Sequence, residues 1–426
     1  MTTPIRVLTL AAEASPFVKI GGLGDVAGAL PSALRSLSTP VDIRLAIPFH
    51  NIIDRSQFKL EPIASFAIYH QDGPLIAEIY QTTVDGTPIY LISGPPISDS
   101  STVYSSDAGM DGSKFTFFSL AALALAQNLS WSPHILHAHD WHTAPAIHAL
   151  AHNQFRDNFY KSIATLITVH NLPYLGVGAG DALTAFGLPP VQDSPLPYWA
   201  ENLPLPLGLL QADHISTVSK GYAKEILTPE FGAGLDEFLK SRTNSITGIL
   251  NGLDTKSWDP DSDQSIPFPY SRENLKNRTS NKIALLKELR LDPDPQRPLI
   301  GMINRMDHQK GVDLVPNALR ALADQNWQAV ILGTGDVGLE NAIRDLDSES
   351  PHVKAIIRYD GELARRIYAG SDTLLIPSRY EPCGLTQMIA MRYGCVPIAR
   401  STGGLRDTIT DYHPENKKGT RQSTGL

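Results

Sequence analysis

Phe17-Val-Lys-Ile-Gly-Gly-Leu-Gly-Asp-Val-Ala-Gly-Ala-Leu-Pro31 places a lysine and closely spaced glycines before an alanine-rich segment that reads as a helix. The apolar run Val7–Ala12 precedes it and predicts a buried strand. The stretch is therefore expected to form a glycine-rich turn from strand to helix. It matches neither the P-loop, whose lysine follows the last glycine, nor the fingerprint G-x-G-x-x-G, because Gly22, Gly24 and Gly28 are spaced as G-x-G-x-x-x-G.

Two interpretations of this turn stay open from its residues alone. A glycine-rich turn that opens a helix can present free backbone N–H groups to an anion, and Lys19 would add a positive charge. The plainer interpretation is a tight turn without any ligand, since glycines of this kind are common wherever a strand meets a helix.

Short apolar runs alternate with helix-like segments along the whole chain. This alternation predicts parallel strands joined by helical crossovers, and therefore open α/β sheets. The predicted strands are Val7–Ala12, Ile43–Pro48, Ile135–His137, Ile163–Val169, His214–Val218, Leu299–Ile303, Ala329–Leu332, Val353–Ile357, Thr373–Ile376 and Val396–Ala399. Several of them lead into loops rich in polar residues, and ligands of open α/β folds bind at the carboxyl ends of the strands.

Length and composition limit the possible classes of protein. A chain of 426 residues with 42% hydrophobic residues is expected to form two domains, each with its own core. No apolar run reaches the roughly eighteen residues that span a bilayer, and no signal peptide is recognisable, so no membrane partner is expected. Two cysteines, Cys383 and Cys395, fit a reducing cytoplasm. A net charge of −8 argues against nucleic-acid binding.

The composition changes in the middle of the chain and at its end. A polar stretch rich in proline and aspartate, Trp258–Pro269, follows Gly248–Asp254 and marks a domain boundary. We expect an N-terminal domain over residues 1–246 and a C-terminal domain over residues 247–426. Residues 414–426 are expected to form a polar tail, as though the second domain were truncated.

Two motifs in the second half carry charged residues at predicted strand ends. Arg305 and Lys310 share one loop after Leu299–Ile303, which suits a diphosphate, although any such pair could be solvated surface cations. Glu381 is followed closely by a proline and a glycine, at the start of a predicted helix. It could bind a ligand or merely cap that helix.

Six ordered motifs together resemble bacterial glycogen synthase and plant starch synthase. They are Lys19-Ile-Gly-Gly-Leu23, His137-Ala-His-Asp-Trp-His142, Val169-His-Asn171, Leu250-Asn-Gly-Leu-Asp254, Arg305 with Lys310, and Ser378-Arg-Tyr-Glu-Pro-Cys-Gly-Leu-Thr-Gln387. The resemblance extends from the first strand to about Asp411. It implies the GT-B fold, in which two Rossmann-like, doubly wound domains face a cleft, and a retaining transfer of glucose from ADP-glucose to the non-reducing end of an α-1,4-glucan such as glycogen.

The resemblance also assigns roles residue by residue. It implies that Arg305 and Lys310 bind the diphosphate, that Glu381 holds the glucose hydroxyls, and that the backbone carbonyl of His170 approaches the anomeric carbon. Further donor or sugar contacts are implied for Lys19, Gly21, Gly22, Asp25, Asn251, Gly335, Tyr359, Cys383, Gly384, Leu385, Thr402 and Gly403. Tyr359 is the residue expected to stack on the base.

The chemistry implied by the family requires no metal and no cofactor. Positive charge develops on the glucosyl ring and negative charge on the leaving diphosphate, so cations belong beside the phosphates and carbonyl or carboxylate dipoles beside the sugar. Asp140 is the remaining acid on the acceptor side. It could act in catalysis or only cap the helix that follows it.

The sequence departs from the family pattern in two places. Ser105–Phe115 lacks the Asp-Asn and Arg-Phe pairs that the family shows after its tyrosine, which puts acceptor contacts there in doubt. The family's last helix, which crosses back to the first domain, is also missing. Two alternatives therefore stay open: a catalytically weak glucan- or nucleotide-binding remnant, or another GT-B transferase, such as one that uses UDP-glucose or forms sucrose or a glycoconjugate.

Overall fold

The computed structural model describes residues 3–154 and 156–412 of the chain. These residues divide into two compact units. The first unit extends to Val218 and resumes for Ala223–Ile249, and the second consists of Ser219–Tyr222 and the described chain from Leu250 onward. The predicted domain boundary, between residues 246 and 247, falls inside the strand Ile246–Gly248 of the first unit. The predicted polar tail, residues 414–426, lies outside the described residues.

The first unit is built on a mixed sheet. Its strands are β1 (Ile5–Leu10), β2 (Val41–Pro48), β3 (Glu61–Ile68), β4 (Leu75–Val84), β5 (Thr87–Ser93), β6 (Ile135–His139), β7 (Ala164–Val169), β8 (His214–Thr217) and β9 (Ile246–Gly248). They lie in the order β3-β4-β5-β2-β1-β6-β7-β8-β9. From β5 to β9 every neighbouring pair is parallel, whereas β3, β4 and β5 pair in antiparallel fashion.

The antiparallel edge formed by β3, β4 and β5 is absent from the predicted strands. Most positions of β3 and β4 are exposed or half-buried, whereas β1 ends in four consecutive buried residues. A search for short, continuously apolar runs detects strands of a parallel sheet that are buried on both faces. The solvated positions of β3 and β4 let these two strands escape that search, whereas β5 is almost entirely buried and its omission has no such reason.

The second unit contains a parallel sheet. Its strands are β10 (Leu299–Ile303), β11 (Gln328–Gly333), β12 (Val353–Ile357), β13 (Thr373–Ile376) and β14 (Val396–Ala399), in the order β12-β11-β10-β13-β14. All neighbouring pairs are parallel. The chain moves outward from β10 to β12 and then returns to add β13 on the other side of β10, which is the strand order of a doubly wound sheet.

Helices connect these strands. They are α1 (Gly22–Arg35), α2 (Pro95–Ser98), α3 (Ala108–Asn128), α4 (Asp140–Asn153), α5 (Gly180–Ala185), α6 (Pro204–Gln211), α7 (Lys220–Glu225), α8 (Asp236–Ser241), α9 (Lys276–Glu288), α10 (Val315–Arg320), α11 (Val337–Glu349), α12 (Gly361–Gly370), α13 (Thr386–Arg392) and α14 (Gly403–Thr408). α4 packs against α3 and α6 in the first unit, and α9 packs against α12 in the second.

The predicted fold class is confirmed within each unit. All ten predicted strands are present, with bounds that differ by at most a few residues at their ends. The apolar strands form the cores because parallel strands covered by helices must bury both faces. β11 shows this most clearly, since every one of its residues, Gln328–Gly333, is buried.

Candidate active site

Several of the predicted site residues follow the strands at which each sheet reverses its order. In the second unit, the loop after β10 carries Arg305 and Lys310, and the loop after the adjacent strand β13 carries Glu381. In the first unit, the loop after β1 carries Lys19, and β6, which lies beside β1, leads into Asp140. Ligands of open α/β sheets bind at such switch points because the two loops separate there and leave a crevice.

The loop after β1 is held by a buried carboxylate that the sequence analysis missed. Glu13 accepts hydrogen bonds from the backbone N–H groups of Ile20 and Gly21, the latter at 3.2 Å. Lys19 pairs with Asp25 at 2.8 Å between Nζ and Oδ1. Glu13 therefore occupies the Gly21 N–H, one of the backbone donors that this turn could present to an anion. Burial raises the pKa of Glu13 despite these two bonds.

A charged residue within the apolar run after β1 was the available signal for Glu13. Glu is almost never fully buried without a partner, so an acid in Ala11-Ala-Glu-Ala14 should have prompted a search for backbone donors nearby. Tyr104 also hydrogen-bonds to Glu13 through its side chain, and burial raises the pKa of this tyrosine well above its usual value. The carboxylate of Glu13 thus joins the loop after β1 to the segment before α3.

The stretch that departs from the family pattern leads into α3 and includes its N-cap residue and its first turns. Asp107 caps this helix by accepting hydrogen bonds from the N–H groups of Gly109 and Met110, at 2.9 and 3.1 Å. Lys114 is fully buried, where its Nζ lies 2.7 Å from Asp111 Oδ1 and donates to the carbonyl of Val103 at 2.8 Å. Lys114 therefore has a structural role here.

Asp140 does not cap α4, which removes one of its two predicted roles. The N-cap of α4 is His139, and its side chain makes no capping hydrogen bond. Asp140 Oδ1 instead accepts the N–H of His170 at 2.7 Å and that of Asn171 at 3.4 Å, both in the loop after β7. Its φ of 57° lies in the left-handed region, which costs energy for a residue other than glycine, although aspartate adopts it more readily than most.

Burial governs the protonation of the residues around Asp140. It raises the pKa of Asp140 to about 7, although the two backbone N–H groups oppose this shift. It lowers the pKa of His170 to about 3 and that of His137 to about 4. His170 Nε2 lies 2.9 Å from Nδ1 of His139, so one of these two neutral rings donates to the other. His170 is thus held at its backbone N–H by Asp140 and at its ring by His139.

Lys310 and Glu381, predicted to bind different parts of the donor, contact each other directly. Lys310 Nζ donates to Glu381 Oε2 at 2.6 Å, and Ser378 Oγ donates to the same oxygen at 3.0 Å. Glu381 is 7% exposed. Because both donors use Oε2, these two bonds hold the carboxylate through one oxygen and orient it.

Arg305 and Lys310 are joined through Asp307. Arg305 Nη2 lies 3.3 Å from Asp307 Oδ2, and the N–H of Lys310 donates to Asp307 Oδ1 at 2.9 Å. The arginine side chain is 56% exposed, whereas that of Lys310 is mostly buried. The two predicted diphosphate cations therefore differ, one being presented to solvent and the other held against Glu381.

Arg379 fastens the loop after β10 to the loop after β13, a role that the sequence analysis missed. Its guanidinium binds both carboxylate oxygens of Asp313 at 2.7 Å and the carbonyl of His308 at 2.8 Å. Its backbone N–H donates to Gln309 at 2.8 Å. Bidentate pairing of this kind fixes geometry as well as charge. An arginine two residues before the candidate glutamate was the signal.

The side chain of Gln387 holds the segment after Glu381 through hydrogen bonds to its backbone. The amide of Gln387 donates to the carbonyls of Cys383 and Gly384, at 2.9 and 2.7 Å. Cys383 is buried, and this burial raises the pKa of its thiol to about 12. Its sulfur accepts a hydrogen bond from the backbone of Asn251. Of the predicted sugar-site residues, Asn251, Cys383, Gly384 and Leu385 therefore lie together, with Leu385 at the N-cap of α13.

The sequence Thr402-Gly-Gly404 by itself suggests a flexible turn, but the structure places Thr402 and Gly403 at the start of α14. Thr402 is the N-cap residue and Gly403–Thr408 is helical. The following Gly404 donates its N–H to the carbonyl of Glu381 at 2.9 Å. A Cβ on Gly404 would lie 2.2 Å from the carbonyl oxygen of Cys383. The absence of a side chain thus allows α14 to pack on the Glu381 loop.

Gly404→Ala is expected to lower the free energy of unfolding by about 1–3 kcal/mol, because the added methyl group overpacks the contact with Cys383. Thermal unfolding of the variant measures this loss. Gly252→Ala is the matched control in the same unit, since a Cβ there meets no atom within 4 Å. Equal melting temperatures for the two variants would contradict the proposed packing constraint.

Gly335 and Tyr359 follow β11 and β12 at the same edge of the second sheet. The N–H of Gly335 already donates to Glu340 Oε1 at 3.0 Å, and Thr334 Oγ1 donates to that oxygen at 2.6 Å. Tyr359 is 78% exposed, which leaves its ring accessible for the predicted stacking. Within the second unit, the loops after all strands from β10 to β13 therefore carry predicted site residues.

Gly22 opens α1, and Gly21 is the N-cap residue of that helix. Lys19, Gly21, Gly22 and Asp25 thus lie together in the first unit, as Asp140 and His170 do. Among residues 3–154 and 156–412, no group of three or more histidine, cysteine or acidic side chains is arranged to hold a metal ion. No helix in that part of the chain is long and apolar enough to cross a membrane.

Comparison with known proteins gives concordant matches for both halves of the chain. Residues 6–241 match the model of the starch synthase catalytic domain, and residues 288–420 match the model of glycosyl transferases group 1. A glycogen synthase of Clostridium perfringens is 38% identical over 420 residues, which covers 96% of this chain and 85% of that protein. A glycogen synthase of Lactiplantibacillus plantarum is 38% identical, with 97% of this chain and 87% of that protein covered.

Solved structures give a similar result. The catalytic domain of starch synthase IV from Arabidopsis thaliana, bound to ADP and acarbose, is similar with a TM-score of 0.89 and 31% identity, covering 99% of this chain and 88% of that one. Sucrose-phosphate synthase from Thermosynechococcus elongatus matches with a TM-score of 0.59 and 16% identity, covering 95% of this chain and 84% of that one. The second match shows a shared fold alone.

Proposed function

From the premise that this chain belongs to the family of the starch synthase catalytic domain, we propose that it is a glycogen synthase that transfers glucose from ADP-glucose to the non-reducing end of an α-1,4-glucan. Its relatives named glycogen synthase and its two glycosyltransferase family matches support the reaction class. The observation that carries the proposal is the contact of Lys310 and Ser378 with one oxygen of Glu381 at the switch point of the second sheet.

The proposed roles in the second unit follow from charge and position. Arg305 and Lys310 bind the diphosphate of the donor, the former through its exposed guanidinium. Glu381 accepts hydrogen bonds from glucose hydroxyls through the oxygen that Lys310 and Ser378 leave available. Asn251 and the backbone of Cys383, Gly384 and Leu385 line the sugar site, Gly335, Thr402 and Gly403 make further donor contacts, and Tyr359 stacks on the base.

The first unit is proposed to complete the reaction. Lys19, Gly21, Gly22 and Asp25 contribute to the donor site, and the backbone carbonyl of His170 approaches the anomeric carbon. Since Asp140 holds the backbone of His170 at 2.7 Å, we propose that it fixes this carbonyl and adds negative charge near the glucosyl ring. The electrostatic benefit requires the ionised form of Asp140, which burial disfavours below about pH 7.

The proposed transfer retains the anomeric configuration and balances without a protein nucleophile. The bond between the anomeric carbon and the diphosphate oxygen breaks, and a bond to the acceptor hydroxyl forms on the same face. The proton of that hydroxyl passes to the departing diphosphate oxygen, whose negative charge Arg305 and Lys310 stabilise. No metal or cofactor takes part in this scheme.

ADP-glucose is the proposed donor, and UDP-glucose is the alternative. The starch synthase with the similar structure was solved with ADP and acarbose, which supports an adenine nucleotide and a glucan acceptor for this chain as well. A cytoplasmic location is proposed from the free thiols of Cys383 and Cys395, which fit a reducing compartment.

A comparison of the two donors tests the proposed function. Purified protein with a glycogen primer is expected to incorporate labelled glucose from ADP-glucose with a kcat/KM at least about tenfold higher than from UDP-glucose, a difference of about 1.4 kcal/mol in transition-state binding. The new linkage should be cleaved by an enzyme specific for α-1,4 bonds. Faster transfer from UDP-glucose would overturn the donor assignment, and incorporation from neither donor would overturn the proposed function.

A further inference from the structure

Asp307 bonds to both of the cations that are proposed to bind the diphosphate. Its Oδ1 accepts the backbone N–H of Lys310 at 2.9 Å, and its Oδ2 lies 3.3 Å from Nη2 of Arg305. The backbone N–H of Asp307 itself donates to the carbonyl of Arg305 at 3.1 Å. One side chain therefore sets both the shape of this loop and its electrostatic potential.

The two oxygens of Asp307 have different consequences. The bond from Oδ1 to a backbone N–H three residues later is a local turn contact, which a neutral side-chain oxygen could also make. The pairing of Oδ2 with Arg305 requires the negative charge. That charge attracts the guanidinium and repels any phosphate that approaches it, and the interaction is partly screened because Arg305 is exposed.

We infer that Asp307 is a positioning residue that holds Lys310 in place and weakens the binding of the donor's diphosphate, so that the nucleoside diphosphate product can leave. This inference rests on the proposed function, because it takes Arg305 and Lys310 as the diphosphate site. Donor and product carry the same diphosphate. A carboxylate beside it lowers the affinity for both, and tighter product binding would slow each turnover when release limits the rate.

Asp307→Asn and Asp307→Ala separate the two contributions. Asparagine keeps an oxygen for the Lys310 N–H but removes the charge, so we expect the dissociation constant of ADP and the KM for ADP-glucose to fall about three- to tenfold. Alanine removes both contacts. The alanine variant releases the loop that carries Lys310, and its kcat is expected to fall at least about tenfold. The kcat of the asparagine variant should fall less than this, and only through slower ADP release.

Titration calorimetry with ADP and with inorganic pyrophosphate measures binding independently of transfer. Asp294→Asn is the matched control. Like Asp307, Asp294 accepts a backbone N–H from a residue that follows it closely, here that of Gln296 at 2.9 Å. Asp294 precedes β10, however, and so lies at the opposite end of that strand from the diphosphate site. The control variant should bind ADP and pyrophosphate as the wild type does.

The outcomes distinguish this inference from the proposed function. If the wild type binds pyrophosphate and Asp307→Asn binds it no more tightly, the inference fails while the proposed function stands. If Asp307→Asn binds pyrophosphate more tightly but no glucose is transferred from either donor, the inference stands for the diphosphate site and the proposed function fails. A wild type that binds neither ADP nor pyrophosphate overturns both.

Discussion

Glu381→Gln is expected to reduce glucosyl transfer at least about a thousandfold while the chain stays folded. Glutamine has nearly the same shape, but it removes the charge that pairs with Lys310 at 2.6 Å and that would lie beside the glucosyl ring. Preorganised charges at a site of this kind contribute several kcal/mol to the stabilisation of a transition state. Initial rates with ADP-glucose and a glycogen primer measure the loss.

The expected effect of Glu381→Gln is specific to the site. Glu349 forms an ion pair with Arg320 on the surface of the same unit, with Nε and Nη2 at 3.0 and 2.9 Å from Oε2. Glu349→Gln makes the same chemical change, and surface pairs contribute little, so this control should transfer glucose normally. Circular dichroism establishes that both variants are folded. A Glu381→Gln variant with a rate near that of the wild type would remove Glu381 from the proposed mechanism.

Asp140→Asn is expected to reduce glucosyl transfer at least about a hundredfold and to change its dependence on pH. The wild-type rate should rise as pH increases through about 7, because Asp140 ionises there and only the carboxylate supports the positive charge on the sugar. Asparagine still offers an oxygen to the N–H of His170, so the loop after β7 should keep its position. The remaining activity should lack the rise near pH 7.

Thermal unfolding of Asp140→Asn gives a second measurement with a definite sign. Burial raises the pKa of Asp140 in the folded chain from 3.8 to about 7. Its contribution to stability is therefore complete below about pH 4 and is lost as pH rises through about 7. Asparagine never ionises and also tolerates a positive φ better than most residues. The melting temperature of the variant minus that of the wild type should thus increase from pH 4 to pH 8.

Asp54→Asn is the control for both measurements on Asp140. Asp54 is exposed and is the N-cap residue of the short 3-10 helix Arg55–Gln57 in the same unit, where its Oδ1 accepts the N–H of Ser56 at 2.9 Å. Asparagine serves equally well at an N-cap. The control should leave the transfer rate and its pH profile unchanged. If Asp140→Asn also keeps the rise in rate near pH 7, another group titrates there and the role assigned to Asp140 is wrong.

Several features of the site could be predicted from local sequence, and others could not. The loops of Lys19, Arg305 and Glu381 were located correctly at strand ends, because an apolar run followed by polar residues marks such an end. The capping role considered for Asp140 was wrong, since the carboxylate reaches the backbone of residue 170 in another loop. The supposed turn at Thr402 was wrong because the helix α14 starts there and packs on the Glu381 loop.

The partners of the charged groups were the least accessible to sequence analysis. Glu13 binds the N–H of Gly21, which is 8 residues away in the chain, and Lys310 binds Glu381, which is 71 residues away. Sequence analysis named no protein partner for either donor, whereas the structure pairs each with a carboxylate of its own unit. A sequence pattern states which groups exist, but a hydrogen bond requires two atoms within about 3 Å, and this distance depends on how separate loops pack.

The sequence by itself determined that the chain forms α/β sheets and which strand ends carry polar loops, because burial on both faces requires continuous apolar runs that can be recognised locally. The tertiary structure alone decided the antiparallel edge of the first sheet and the pairing of Lys310 with Glu381 and of Asp140 with the backbone of His170. These pairings set the charge and shape of the site. They arise only when strands that are distant in the chain become neighbours and bring their loops together.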